Sequence, residues 1–375
     1  MADYTTIDDP SAHFQIATWT GDGNADRAIV NDGNSAMQPD WVWYKSRSNA
    51  TSHIVYDSSR GADYYLKPNT TAAEGTDSAM FESFDSDGFS LNADTDGNGD
   101  GRTYVAWQWK ANGGTKVTVA ESGTGSGCVN ACTHQANTTA GFSIITYTGR
   151  DDELSNGQES HLTHGLGVAP TLIILKRRDA TADWYVMGKY VTSASAYSNN
   201  EYLSLNDTDA INGNSYTGDT AADSTHIFLG NELVNVADAT YVCYAFTDVQ
   251  GYSKFGKYKG NGASDAAPST LGPFIYTGFS PALVIIKKTS AVDSWYLFDN
   301  KRAGYDPAVY RLYGESTSAE TGGTNNTIQF TSNGFKVRFH GGSLNESGGA
   351  YIYMAFAEQP FVTSTDTNSI PATAR

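Results

Sequence analysis

Three times along the chain a proline opens an apolar run that ends on a lysine: Pro39 to Lys45, Pro170 to Lys176 and Pro281 to Lys287. The lysine always stands six residues after the proline (45−39, 176−170, 287−281). A second run begins fourteen residues after each proline, at His53, Trp184 and Trp295. Each copy closes on an aromatic strand: Tyr104 to Trp109, Tyr241 to Phe246 and Tyr351 to Phe356. Each also opens on an aromatic-x-Gly triplet: Trp19-Thr20-Gly21, Tyr147-Thr148-Gly149 and Tyr258-Lys259-Gly260. An internal repeat of this kind constrains the fold before any other signal, because each copy must build the same structural unit. What recurs is a set of strand cores and not a set of reactive groups.

The runs alternate with period two. Val105, Trp107 and Trp109 share one face, as do Val242, Tyr244 and Phe246, and Ile352, Met354 and Phe356. The opposite face is also apolar, with Ala106, Cys243 and Tyr353, so the closing strand is expected in the middle of a sheet. Gly88-Phe89 and Gly334-Phe335 mark turns into a further strand, where copy two has His226-Ile227-Phe228. No segment holds a 3.6-residue period over a dozen residues. The 38 glycines and the Ser, Thr, Asn and Asp between the runs supply turns. The predicted fold class is all-β, as three tandem related antiparallel β-sandwich domains. Their expected bounds are 14–110, 141–249 and 250–361, with a leader over 1–13, a polar linker over 111–140 and a tail over 362–375.

The net charge is −17, which repels phosphate backbones and disfavours nucleic acid as a partner. No run of 18 apolar residues exists, so membrane insertion by a helix is not expected. The first ten residues lack the basic start and apolar stretch of a signal peptide, which points to synthesis without export. Cys243 falls in a core strand. Cys128 and Cys132 sit in a Gly/Ser/Thr/Asn loop and are read as idle thiols. Their neighbour His134 brings no second pair of ligands with zinc spacing.

Neither a nucleophile elbow nor a phosphate loop is present. His161 and His164 form H-x-x-H without the glutamate of a zinc protease, and read as a polar loop leading into a strand. Asp57 and Asp299 match each other, but copy two has Gly188, which suits a strand-end turn residue better than an acid catalyst. No residue is therefore assigned a catalytic role. The strongest polar signal is Asp94-Thr95-Asp96-Gly97-Asn98-Gly99-Asp100-Gly101. Oxygen ligands at alternate positions suit calcium, with Asp94, Asp96, Asn98 and Asp100 as the metal candidates. The twelfth position of that loop is Val105 where a bidentate glutamate is needed, so the match to a calcium loop is incomplete and a wide hairpin loop is the reading set against it. Beyond calcium no cofactor is expected. Trp19, Tyr64, Tyr65, Trp41 and Trp43 are of the type that stacks on sugars, though Trp41, Trp43, Trp184 and Trp295 lie in strand runs and read as core. His53 stands where the other copies have Trp, which marks a packed or edge residue and not a ligand.

Several phrases are similar to a family of repeat-bearing bacteriophage virion proteins, structural and tail-fibre-like, from marine phages. They are Tyr4 to Phe14, His164 to Pro170, Ser253 to Gly262, Gly278 to Lys287 and Tyr353 to Glu358. The resemblance implies a non-enzymatic virion protein, assembled in the host cytoplasm, with other virion proteins as partners. It implies a tail fibre or surface appendage used in host adhesion, with a host surface glycan as a candidate ligand. Tandem sandwiches would make a stiff rod, the leader would dock it to the particle, and a homo-oligomer, a trimer by choice, would complete the fibre. Two alternatives are a capsid or tail decoration protein without receptor role, and a polysaccharide depolymerase. The last needs two carboxylates ~5–10 Å apart in a groove. A secreted lectin-like adhesin of a host would need an export signal.

Overall fold

The computed structural model describes residues 4–123, 129–150, 160–192, 201–213, 221–230, 232–263, 272–303, 308–323, 326–338 and 342–363. The protein is all-β and antiparallel. Every copy builds one large sheet around the same four strands, which make up the whole sheet in copy one and part of an eight-stranded and a five-stranded sheet in copies two and three. The opening strands are Phe14–Thr20, Phe142–Thr148 and Ser253–Lys259, and the closing strands are Thr103–Trp109, Thr240–Phe246 and Ala350–Pro360. The lysine strands are Trp41–Ser46, Leu172–Arg177 and Phe279–Lys288, and the strands after them are Ile54–Asp57, Trp184–Gly188 and Trp295–Asp299. In all three the spatial order is opening, closing, lysine, following. Register repeats as well: Trp41 pairs Trp109, Leu172 pairs Phe246 and Leu283 pairs Phe356. The closing strand is hydrogen-bonded on both sides, as its two apolar faces require.

A small sheet covers one face of each large one. Copy one uses Arg27–Ile29, Gly88–Leu91 and Phe81–Asp85, and copy three uses Phe274–Tyr276, Gly334–Val337 and Ile328–Thr331. Copy two uses Ser160–Thr163 with His226–Leu229. The Gly-Phe signal is explained by crowding: a Cβ on Gly88 would collide with the carbonyl of Ile29, and one on Gly334 with that of Ile275. Tyr104 and Ala106, Cys243 and Ala245, and Tyr353 and Ala355 fill the three sandwich interiors.

The other face of the three large sheets meets in one shared core. Val105, Trp107 and Trp109, Val242, Tyr244 and Phe246, and Ile352, Met354 and Phe356 belong to a single buried cluster. The ring of Phe356 lies 5.3 Å from Trp109 and 5.9 Å from Phe246. The expected rod is thereby corrected to three copies packed around a common centre. The physical reason is burial. A row of beads would leave one apolar face of every large sheet in water, a patch of the size that drives association.

Two segments expected to stand apart are built in. The leader runs back over copy three: Thr5 Oγ1 donates to the Gln250 carbonyl at 2.5 Å, Tyr4 Oη donates to the Gly278 carbonyl at 2.5 Å, and Ile7 enters the shared core. The polar linker contains two strands, Val117–Val119 and Cys132–Asn137, that extend the large sheet of copy two beyond its opening strand. Buried Asp40 holds its start, accepting the backbone N–H groups of Ala111, Gly113 and Gly114 at 2.8 Å. Among the described residues helix is confined to short turns, such as Glu232–Asn235 and Gly342–Asn345.

Candidate functional site

Several of the polar residues that recur through the sequence lie at the joints between copies, and the joints follow in cyclic order. Arg178 of copy two accepts the backbone N–H of Glu74 of copy one at 2.8 Å. Thr289 of copy three accepts that of Ile211 of copy two at 3.0 Å, and Arg47 of copy one accepts that of Glu320 of copy three at 2.7 Å. The position fourteen residues after the proline closes the same ring. Trp184 Nε1 donates to the Lys67 carbonyl at 3.1 Å and Trp295 Nε1 to the Ser204 carbonyl at 2.9 Å. His53 takes the equivalent place, its Nε2 3.0 Å from the Tyr313 carbonyl. Its Nδ1 accepts from Trp43 Nε1 at 2.9 Å, which assigns the proton to Nε2. Burial pushes the His53 pKa down to about 3, so the ring is neutral.

The three repeat lysines are wholly buried and bind backbone carbonyls, not carboxylates. Lys176 Nζ reaches Ala182 at 2.9 Å and, across the joint, Thr71 at 3.2 Å. Lys287 Nζ reaches Asp293 at 2.7 Å and, across the joint, Thr208 at 2.9 Å. Lys45 Nζ stays within copy one, on Ser46 at 2.6 Å and Asn49 at 3.1 Å. Desolvation lowers all three to about 8.

Asp57 and Asp299, read as turn residues, are the anchors of two joints. Asp57 takes the Arg60 guanidinium at 2.5 Å and the Tyr244 hydroxyl of copy two at 2.7 Å. Arg60 continues to Glu74 at 2.9 Å, and Glu74 to Arg178 of copy two at 2.8 Å. Asp299 takes Arg302 at 2.6 Å and the Trp107 Nε1 of copy one at 3.0 Å. Arg302 continues to Glu320 at 3.1 Å, and Glu320 to Arg47 of copy one at 2.9 Å. The carboxylates that recur between copies one and three are thus held on buried arginines. A legible signal for this was Asp-x-x-Arg, present as Asp57 to Arg60 and Asp299 to Arg302.

The metal candidates fall in a latch that also recurs. Asn98 is buried, and its side-chain oxygen accepts the backbone N–H of Asp22, the residue after Gly21, at 3.1 Å. Asn235 does the same for Arg150 at 3.1 Å and Asn345 for Asn261 at 2.9 Å. The residue after each asparagine donates its N–H to a closing-strand tyrosine: Gly99 to Tyr104, Val236 to Tyr241 and Glu346 to Tyr351. The residue before it accepts from the opening aromatic: Gly97 from Trp19, Val234 from Tyr147 and Leu344 from Tyr258. A side chain on Gly21, Gly149 or Gly260 would collide with this backbone, which explains the aromatic-x-Gly triplet. The asparagine was findable, since it precedes the tyrosine by six residues in every copy (104−98, 241−235, 351−345). Both hydrogens of the Asn98 amide group go to Asp22 and Asn24. Asp94 accepts the backbone N–H of Asp96 at 2.7 Å, burial and Asp94 raise the Asp96 pKa, and Asp100 is exposed. Among the described residues no group of three or more His, Cys, Asp or Glu side chains is arranged to hold a metal.

The histidines of H-x-x-H diverge. His164 is buried, with Nδ1 accepting from the Leu166 N–H at 3.1 Å and Nε2 3.1 Å from the Asp223 carbonyl. His161 instead meets His226 across the small sheet, with ring centres 4.3 Å apart. Cys132 and Cys243 are free thiols in the interior, while Cys128 lies outside the described residues. Of the sugar-stacking candidates, Trp41, Trp43 and Trp19 are buried, and Tyr64 is 39% exposed.

One family match spans all three copies of this all-β protein. The chain belongs to a family described as a domain of unknown function (DUF7483), matched as one unit over residues 9–360. No curated protein and no solved structure matches it. No helix among the described residues is long and apolar enough to cross a membrane.

Proposed function

We propose that this protein is a non-enzymatic surface component of a bacteriophage particle, a compact binding head carried on a tail fibre or similar appendage and used in host adhesion. The observation that carries the reading is where the recurring polar residues go. Asp57, Asp299, the latch asparagines and the repeat lysines are all buried and bonded inside the protein. That leaves the loops on the outside, the usual seat of recognition on a rigid scaffold. The placement on a virion rests on the sequence resemblance. Threefold internal repetition supports it, since a chain that closes its own ring of three suits a threefold appendage without needing three chains.

The test is immunogold electron microscopy of purified particles with antibody raised against the folded chain. Label at a fibre or tail tip is the expected result. Label spread over the capsid would turn the role into decoration, and absence from particles would remove the virion reading. Loss of viscosity in host polysaccharide incubated with the protein would overturn the non-enzymatic part and favour a depolymerase.

A further inference from the structure

Where the leader crosses the passage from copy two to copy three, it walls a groove of about 540 Å³. Thr6 comes from the leader, Thr138 and Thr139 from the turn before Phe142–Thr148, and Val168 from the turn before Pro170. Gln250 stands at the junction of the two copies. All five are exposed, Val168 by 51%. Asp248, the charged residue among the described ones that line the groove, is held by Lys254 Nζ at 2.7 Å and by the Phe255 N–H at 2.8 Å. The groove therefore presents hydroxyls, an amide and an apolar side chain, on a protein whose net charge is −17. Tyr4 also lines it and carries it onto the small sheet of copy three. The hydroxyls of Tyr4 and Tyr276 meet over Gly278, where a Cβ would touch both.

Phe274 and Tyr276 alternate with buried Ile275 on one strand, so both stand on the outer face, roughly 7 Å apart. They are 49% and 56% exposed. Phe274 Cζ lies 3.2 Å from the place a Cβ of Gly334 would take, so the ring lies across the glycine with its other side open. The fold does not need these rings. In copy one Ile29 pairs Phe89 as Ile275 pairs Phe335, and the neighbours of Ile29 are Ala28 and Val30. Contiguous exposed apolar area with a polar rim marks a binding surface. We propose that the groove and the aromatic pair beside it form a binding site for a neutral oligosaccharide. Sugar rings have apolar C–H faces that suit Phe274 and Tyr276, and hydroxyls that suit Thr6, Thr138, Thr139 and the Gln250 amide. The volume falls within the ~300–1,000 Å³ of small-ligand sites, which fits a few sugar units. The negative charge of the protein repels an acidic glycan. The site names a ligand class for the adhesion reading and rests on that reading for its role in host encounter. Binding itself is measured on the chain alone, so its failure is distinct from absence of label on particles.

Saturation-transfer NMR on the full chain tests the site, with maltotriose, cellotriose and mannotriose as probes and trigalacturonate as the acidic counterpart. At least one neutral trisaccharide is expected to receive transfer, and trigalacturonate less. Phe274→Ala and Tyr276→Ala are each expected to weaken binding about tenfold, the worth of one stacked ring. Thr139→Arg, on the exposed wall, is expected to block the groove while leaving the melting temperature unchanged. Tyr64→Ala removes an exposed aromatic of copy one and is expected to leave binding as it was. No transfer to any of the three neutral probes would overturn the assignment. So would stronger transfer to trigalacturonate, or transfer that the Phe274, Tyr276 and Thr139 variants leave intact.

Discussion

The joint between copies two and three does the same work as the other two without their aspartate–arginine–glutamate–arginine chains. Where copies one and three place Asp57 and Asp299 with Arg60 and Arg302, copy two has Gly188 and Val191. The facing residue changes in step: Tyr244 and Trp107 donate to the aspartates, whereas copy three presents Met354. The outer pair changes too, from Glu74 with Arg178 and Glu320 with Arg47 to Ile211 with Thr289, although the backbone hydrogen bond beneath is kept in all three. One joint can therefore be filled by a buried ionic network or by apolar groups, provided both sides agree. This matches the general balance for buried ion pairs, which add little over a well-packed apolar substitute but are costly to break on one side. The aspartates serve fit between copies, and chemistry is not needed to explain them.

The largest expected effect breaks that agreement. Asp57→Ala leaves Arg60 buried with less compensation and is expected to cost about 3–5 kcal/mol in urea unfolding. Replacing Asp57, Arg60 and Tyr244 together by Leu, Met and Phe is expected to cost less than Asp57→Ala alone. A triple variant worse than the single one would mean that the network carries more than packing.

A smaller loss, about 1–3 kcal/mol, is expected for Asn345→Ala, which strips a buried latch of its bond to the Asn261 N–H. Asn98→Ala should match it with calcium absent. Destabilisation by Asn98→Ala that appears only when calcium is present would return that loop to the metal reading.

Acid sharpens the contrast further, because His53 serves the joint of copies three and one where tryptophans serve the others. Its folded pKa of about 3 lies below the ordinary 6.5, so its contribution is complete above pH 6.5 and is lost as pH falls toward 3. His13, His134, His161 and His164 are lowered by burial in the same direction. Stability is expected to fall between pH 6.5 and about 4.5, before most carboxylates protonate, and His53→Trp should reduce the fall. An unchanged slope in that variant would contradict the assignment.

The smallest effect concerns the lysines. Their folded pKa of about 8 lies below the ordinary 10.5, so the unfolded chain holds more protons between these values and stability rises with pH there. Lys287→Met should flatten part of that rise between pH 8 and about 9.5, below tyrosine ionisation. The melting temperature read across that range checks it.

Much of the fold could be read from the chain. Period-two alternation in Tyr104 to Trp109 and its two counterparts placed the central strand and both its faces correctly. The apolar second face was visible too, but alternation says only that a face is buried and not against what, so a rod and a ring were equally compatible with it. The site was less legible. Asp57 and Asp299 drew attention as a matched pair, yet their partners Tyr244 and Trp107 lie 187 and 192 residues away. No local pattern reports a contact of that range. Asn98 reads as a metal ligand in the sequence because aspartate, asparagine and glycine serve turns and calcium alike. Only alignment on the following tyrosine separates the latch from the loop around it.

Calorimetry of thermal unfolding tests the central claim most directly, that three copies around one core are a single cooperative unit. The account predicts one transition whose calorimetric and van't Hoff enthalpies agree, shifted as a whole by Asp57→Ala. Separate transitions, with only one of them moved by that substitution, would contradict it and restore three independent domains in a row.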